Sequence, residues 1–312
     1  MGNESEQWTV ENIGSQEGRV AIVTGANSGL GYYTSKALAM KGARVIMACR
    51  NSSRGEEARS RILEEGPTID PEVWSLDLAS MESIQAFTRS FISSNERLDL
   101  LINNAGLMAI PYHRTMEGFE MQFGVNHLGH FALSMHLWPL ISATPESRIV
   151  NVSSAAHHFG KIRFEDIHWE RSYSKWGAYG MSKLANLLFT RELSKKLKAA
   201  GSSVKVAAAH PGYADTELQA KGAKMKGSRI GAGSFNLVNR LVAQPAFMGA
   251  LPSLYAATAE DVEQGGYYGP DGFMRMKGWP APDRPNPKRM DDEVAGKLWV
   301  LSELLTGVKF PL

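Results

Sequence analysis

From residue 19 onward, short apolar runs rich in β-branched residues alternate with longer stretches of helical spacing. The runs occupy 19–24, 43–48, 72–76, 98–102, 148–152 and 204–209. They are almost continuously apolar rather than alternating, the pattern of strands covered on both faces. Helices are predicted between them, near 30–41, 52–65, 80–95, 116–138 and 178–200, with a closing helix near 290–306. Strands and helices in alternation predict a doubly wound α/β sheet with right-handed crossovers. Three stretches depart from that rhythm. Residues 1–18 read as a loosely ordered arm, and 212–248 as an amphipathic helical excursion, a lid rather than a separate domain. Residues 265–290 read as loop, with Gly265, Gly266, Gly269, Pro270, Gly272 and the prolines 280, 282, 285 and 287.

Composition narrows the function classes. The chain has 34 Lys+Arg against 32 Asp+Glu, a formal net charge of +2, which offers no electrostatic footprint for nucleic acid. Its single cysteine, Cys49, excludes an intramolecular disulfide and a Cys-rich zinc site, and with the polar, acidic N-terminus points to a reducing, cytoplasmic location. No apolar run approaches the ~18–20 residues of a membrane span. The histidine pairs 127/130 and 157/158 lack any H-E-x-x-H spacing, so no metal site is expected. Thirty glycines are more than an average chain of 312 residues carries, and they point to many functional turns.

The first of those turns follows the first strand directly: Thr24-Gly25-Ala26-Asn27-Ser28-Gly29-Leu30-Gly31. A strand that runs through glycines into a helix leaves backbone N–H groups and the positive end of a helix dipole facing an anion. The spacing G-x-x-x-G-x-G is neither the G-x-G-x-x-G fingerprint nor a P-loop. Taken alone it is also compatible with a plain tight turn. Tyr179 and Lys183 stand four residues apart on a predicted helix and therefore share a face. An ammonium beside a phenol favours the phenolate, which suits a general acid/base; an amphipathic helix with one snorkelling lysine reads the same way.

Together, TGANSGLG at 24–31, NNAG at 103–106 and YxxxK at 179–183 resemble the short-chain dehydrogenase/reductase superfamily, over roughly residues 18–275. The resemblance implies one Rossmann domain over 19–312, with a mostly parallel seven-stranded sheet and a tail from about 273. A single domain is also required because the loop near residue 25 and the pair near residue 180 must meet. It implies a nicotinamide coenzyme held by Gly25, Asn27, Ser28, Gly29, Leu30 and Gly31, by Asp77 and Leu78 near the adenine, by Asn104, Ala105 and Gly106, and by Pro211 and Gly212 near the nicotinamide. Asp77 equally fits a cap for the helix that follows. The second strand ends in Cys49-Arg50-Asn51-Ser52, without the carboxylate that would bond the 2′-hydroxyl of NAD, and Arg50 offers a guanidinium to the 2′-phosphate of NADP(H). A solvated surface arginine is the alternative for Arg50.

By the same resemblance, the catalytic set is Asn126, Ser153, Tyr179 and Lys183. Tyr179 exchanges the proton, and Lys183 also holds the nicotinamide ribose. Ser153, the first of the pair at the end of the fifth strand, donates to the substrate oxygen, and Asn126 anchors a water leading to Lys183. MACRN at 47–51, EGFEMQFGVNHLGHF at 117–131 and GKIRFEDI at 160–167 further resemble the retinol dehydrogenase branch and, more distantly, the protochlorophyllide reductases. The expected activity is NADP(H)-dependent interconversion of a bulky hydrophobic aldehyde or ketone and its alcohol. Met108, His157, His158, Phe159, Trp176 and Tyr213 would line the pocket. A non-catalytic NADP(H)-sensing or interaction module and a C=C reductase are the alternatives. Leu188, Phe189, Leu193 and Leu197 would provide a seam for a homo-oligomer or, equally, internal packing.

Overall fold

The computed structural model describes residues 7–213 and 244–311. Its organising element is one sheet in the order β3-β2-β1-β4-β5-β6-β7-β8. The strands are β1 (Val20–Thr24), β2 (Arg44–Cys49), β3 (Glu72–Ser75), β4 (Leu100–Asn103), β5 (Arg148–Val152), β6 (Lys205–Ala209), β7 (Tyr267–Pro270) and β8 (Pro280–Pro282). All pairs are parallel except β7–β8. Alternate residues of each strand fall into two apolar layers. Ile22, Ile46, Leu101, Ile149 and Val206 belong to one. Ala21, Val23, Val45, Met47, Leu100, Ile102, Val150 and Ala207 belong to the other. Both faces are therefore covered, which is why the runs read as continuously apolar.

The helices are α1 (Gly29–Met40), α2 (Ser52–Leu63), α3 (Met81–Ser94), α4 (Met121–Phe123), α5 (Gly129–His136), α6 (Trp138–Ala143), α7 (Lys175–Ala199), α8 (Ala246–Thr258) and α9 (Asp292–Thr306). Chain order reverses between β1 and β4, so the crevice beyond their carboxyl ends is where a ligand of such a sheet binds. Thr24, Asn103 and Val152 end strands there.

Several expectations are corrected. The sheet has eight strands, not seven, and the stretch 265–290 is not simply loop. β7 extends the parallel sheet, and β8 adds antiparallel to its edge through Tyr268↔Pro282, Gly269↔Ala281 and Pro270↔Pro280. The prolines that argue against a strand in sequence are tolerated because β8 is an edge, where a missing N–H costs nothing. The single helix expected over 116–138 is broken. Between α4 and α5 lies a π-helical turn, Gly124–Leu128, in which the Gly129 N–H reaches back to the Gly124 carbonyl. The N-terminal arm is anchored from residue 7 onward: Ile13 is buried, and the Trp8 ring meets Tyr255 edge-on at 5.2 Å.

Most of the 212–248 excursion lies outside the described residues. Its two ends are tied together: the Gln244 N–H donates to the Tyr213 carbonyl at 2.8 Å, and Gln244 Nε2 donates to the Pro211 carbonyl at 2.7 Å. Beyond it, α8 is a helix the sequence pattern did not separate from the excursion. The seam residues Leu188, Phe189, Leu193 and Leu197 are buried within the chain. α9 packs along α7, with Trp299 against Phe131 and Phe189 at 5.2 and 5.8 Å between centroids. Internal packing, the alternative for that seam, accounts for them.

Candidate active site

Conformation at the glycine loop explains its composition. Gly25 and Gly29 have φ of +65° and +53°, the left-handed region that glycine enters without cost. A Cβ on Gly25 would stand 3.0 Å from Ala105, and one on Gly31 would overlap the Gly25 carbonyl oxygen. Ser28 is the extended residue before α1 and makes no side-chain cap bond, so the first turn of α1 is left to be satisfied from outside. Asn27, Ser28, Gly29 and Leu30 are half-buried around it.

The 103–106 turn closes against this loop. The Thr24 hydroxyl accepts the N–H groups of Asn104 and Ala105, each at 2.9 Å, and Asn104 Nδ2 donates to the Thr24 carbonyl at 2.7 Å. Asn103 instead turns into the core and donates to Ser134 and Asn151. At the adenosine end, Arg50 is exposed just past β2, and Asn51 caps α2 by accepting the Arg54 N–H at 2.9 Å. Asp77 accepts the Ala79 N–H, whereas Ser80 is the cap of α3. Leu78 is buried against Gly129. Pro211 and Gly212 follow β6, and a Cβ on Gly212 (φ +63°) would overlap the Met276 carbonyl oxygen.

Across the crevice, α7 is capped by Ser174 and buries Tyr179 and Lys183. Lys183 Nζ donates to the Val152 carbonyl at 3.0 Å and lies 5.9 Å from the Tyr179 ring centre. Burial alone pulls its pKa down to about 8, and no carboxylate compensates it among the described residues. Burial also raises the Tyr179 pKa, opposed by a hydrogen bond with the Ser154 side chain.

The serine pair divides in a way the sequence reading did not foresee. Ser153, expected to face substrate, is buried and donates to the Lys183 carbonyl at 2.9 Å. Ser154 is the half-buried hydroxyl beside Tyr179. Asn151 donates to Thr190 and Ser153 to the Lys183 carbonyl, while Ser154 turns its hydroxyl to Tyr179 nearer the start of the same helix, a division that only the packing of α7 on β5 reveals.

Asn126 sits in the π-helical turn. Its side chain holds the Leu107 backbone at both ends, accepting N–H at 2.7 Å and donating to the carbonyl at 2.9 Å, and it donates to Ser182. A Cβ on Gly106 would lie 3.4 Å from both Asn126 Oδ1 and Lys183 Nζ, so all three converge.

Met108 and Tyr213 are half-buried, and His158, Phe159 and Trp176 are exposed; the Trp176 ring lies 6.2 Å from that of Tyr179, and Phe159 packs over Gly180. His157 is buried and not a pocket wall. Its Nδ1 meets the Ser154 carbonyl at 2.7 Å, and its Nε2 accepts the Asn286 N–H at 3.3 Å. Nor did the sequence single out His210, which donates from Nε2 to Asp283 at 2.8 Å. These two histidines pin residues 283–286 to the catalytic edge of the sheet. Among the described residues no group of three His, Cys, Asp or Glu could hold a metal ion, and no helix is long and apolar enough to cross a membrane.

A lone buried ammonium, a loop that side chains would fill and an uncapped helix start fit a dinucleotide's ribose hydroxyls and pyrophosphate. Comparison with known proteins agrees with this geometry. The short chain dehydrogenase family model matches residues 19–227. Mouse retinol dehydrogenase 14 is 43% identical over 307 residues, covering 95% of this chain and 88% of that protein. Human retinol dehydrogenase 13 is 43% identical over 299 residues, covering 94% and 86%. A crystal structure of an uncharacterised Mycobacterium Paratuberculosis protein aligns with TM-score 0.80 at 40% identity, over 98% of this chain and 100% of that one. An Escherichia coli CFT073 short chain dehydrogenase complexed with NADPH shares the fold, with TM-score 0.62 at 23% identity over 80% and 95% of the two chains. The chain is thus an oxidoreductase of the short-chain dehydrogenase family, in the branch that includes the retinol dehydrogenases.

Proposed function

We propose that this protein interconverts a bulky hydrophobic aldehyde or ketone and the corresponding alcohol, using NADP(H). When bound, the nicotinamide supplies or accepts the hydride. In reduction, Tyr179 gives its hydroxyl proton to the substrate oxygen as the carbonyl carbon gains hydride; in oxidation it takes that proton back. Lys183 lies behind Tyr179, where a positive charge favours the phenolate, and its ammonium also suits the ribose hydroxyls. Ser154, rather than Ser153, takes the role of donor to the substrate oxygen, where negative charge develops. Asn126 keeps the Leu107 backbone and the Lys183 end of the crevice in place. Arg50 receives the 2′-phosphate, because the end of β2 offers a guanidinium and no carboxylate. Asp77 and Leu78 flank the adenine, and Pro211 and Gly212 the nicotinamide. The apolar side chains of Phe159 and Trp176 beside the Tyr179 turn of α7, with Met108 after the 103–106 turn, favour large substrates.

The observation that carries this reading is the buried Tyr179–Lys183 pair beside Ser154. A module that only bound coenzyme would have no use for a phenol, an uncompensated ammonium and a hydroxyl sequestered together. The test is NADPH oxidation against a panel of bulky aldehydes and ketones, with Tyr179→Phe alongside. The variant is expected to bind NADPH as the wild type does and to lose turnover. Unchanged turnover would refute the proton-transfer role, and turnover confined to small polar keto acids would refute the substrate class.

A further inference from the structure

His130 lies on α5, fully enclosed and one helical turn beyond Asn126, and its two ring nitrogens face different parts of the site. Nδ1 is 3.0 Å from the Asn126 backbone carbonyl oxygen. Nε2 is 2.9 Å from the Thr24 hydroxyl. A carbonyl can only accept, so Nδ1 carries a proton. The Thr24 hydroxyl has two acceptor positions, and the N–H groups of Asn104 and Ala105 occupy both. Its own proton must therefore go outward, and Nε2 is nearer than the other acceptor, the Ile102 carbonyl at 3.3 Å. Nε2 thus accepts. The hydrogen-bond count alone fixes a neutral imidazole with the proton on Nδ1. Burial, which lowers its pKa to about 4, acts the same way.

The bonds on either side give this tautomer a purpose. Thr24 is the last residue before the glycine loop and the anchor of the 103–106 turn. Asn126 belongs to a π-helical turn, where the regular helix ladder is interrupted and a carbonyl can be held by a side chain instead. We propose that His130 is a positioning residue that clamps the coenzyme-binding turns, through Thr24, to the catalytic end of the crevice, through the Asn126 carbonyl. The imidazole is a rigid two-ended spacer, with its donor and its acceptor on opposite sides of the ring, farther apart than the two ends of a side-chain amide. The inference rests on the functional reading above only in assigning coenzyme to one end and proton transfer to the other.

Two substitutions separate the ends. In His130→Asn the amide reaches the place of Nδ1, keeps the bond to Asn126 and loses Thr24. In His130→Gln the amide reaches the place of Nε2, accepts from Thr24 and loses Asn126. NADPH affinity is measured by nucleotide fluorescence titration, turnover by steady-state kinetics and folding by thermal melting. His130→Asn is expected to raise the NADPH Kd about five- to tenfold with kcat little changed, the size of one lost hydrogen bond. His130→Gln is expected to lower kcat about 10–100-fold with Kd little changed, the size of a displaced catalytic group. Thr24→Val also strips the acceptor from the Asn104 and Ala105 N–H groups, so it should raise the Kd at least as much as His130→Asn, and combining the two should add nothing further. Equal changes in both parameters that merely follow the loss of melting temperature, or additive Thr24→Val and His130→Asn effects, would overturn the proposal. A wild type that bound no NADPH would instead reject the coenzyme assignment itself.

Discussion

Ser153 donates its hydroxyl proton to the Lys183 backbone carbonyl at 2.9 Å, while Lys183 returns its ammonium to the carbonyl of Val152, the residue before Ser153, at 3.0 Å. The end of β5 and the centre of α7 are thereby cross-tied by two bonds running in opposite directions. Ser154 stands outside this tie, beside Tyr179. The two adjacent hydroxyls should therefore fail differently. Ser154→Ala is expected to lower kcat by about 10²–10³, as expected for a lost transition-state donor, with a small loss of melting temperature from the Ala156 N–H that its hydroxyl accepts at 3.2 Å. Ser153→Ala is expected to cost about 1–3 kcal/mol of stability by leaving a buried carbonyl short of a partner, with a smaller effect on kcat. Steady-state kinetics and chemical denaturation of both variants test the division; the larger kcat loss in Ser153→Ala would reverse it.

Lys183 carries a stability cost that its function explains. Its pKa is held down to about 8 by burial, below the ordinary lysine value of 10.5, so the folded state binds a proton less readily than the unfolded one. That penalty is fully present below pH 8 and disappears as pH rises through the range between 8 and 10.5. Lys183→Met is therefore expected to stabilise the coenzyme-free protein at pH 7, by roughly 1–3 kcal/mol. The gain should shrink on going to pH 10, while carbonyl reduction is abolished. Denaturant titrations at pH 7 and pH 10 measure both arms. A variant less stable than wild type at pH 7 would show that the Val152 bond outweighs the desolvation.

Much of this site is legible in the sequence because its parts depend on backbone period. Tyr179 and Lys183 share a face of α7 by the four-residue spacing, and Gly25, Gly29 and Gly31 mark a strand-to-helix turn. What escapes depends on contacts between segments distant in the chain. His130 becomes informative only once Thr24, more than a hundred positions earlier, is seen against its ring. The His210–Asp283 pair reaches the edge of the site only through β7 and β8, and Pro280 and Pro282 disguise the latter as loop. The break at Gly124–Leu128 is likewise tertiary. A Cβ on Gly124 would crowd Thr115, and one on Gly129 would crowd the Leu78 carbonyl, so neighbours rather than helix propensity set the irregular turn.

Coenzyme choice should hinge on Arg50. The guanidinium is exposed at the end of β2, and residues 49–52 offer no carboxylate to a ribose 2′-hydroxyl. Arg50→Ala is expected to raise the Kd for NADPH about tenfold or more while leaving that for NADH within about twofold, the loss of one charge-assisted contact to phosphate. Fluorescence titration with both nucleotides measures this directly. Equal affinity of the wild type for the two, or an unchanged preference in the variant, would reject the assignment of NADP(H).

Acid stability offers a prediction independent of catalysis. His127 is enclosed by the rings of Phe123, Phe131 and Phe189, and its Nε2 lies 2.9 Å from the Ser302 hydroxyl. Ser302 already donates to the Leu298 carbonyl, so His127 is the donor in that pair and α9 is held to the π-helical turn through it. Burial pulls the His127 pKa down to about 3, against 6.5 when exposed. Below pH 6.5 the unfolded chain takes up a proton that the folded chain refuses, so stability falls as pH falls from 6.5 toward 3. His130 and His157, both lowered to about 4, add to the same slope. His127→Phe keeps an aromatic ring among its neighbours and leaves Ser302 its bond to Leu298. It is expected to lose about 1–2 kcal/mol at pH 7, from the broken tie to α9, yet to destabilise less steeply than wild type between pH 6.5 and pH 4. Denaturation midpoints across that range give the slope. Parallel curves for the two proteins would mean that His127 is not the group resisting protonation.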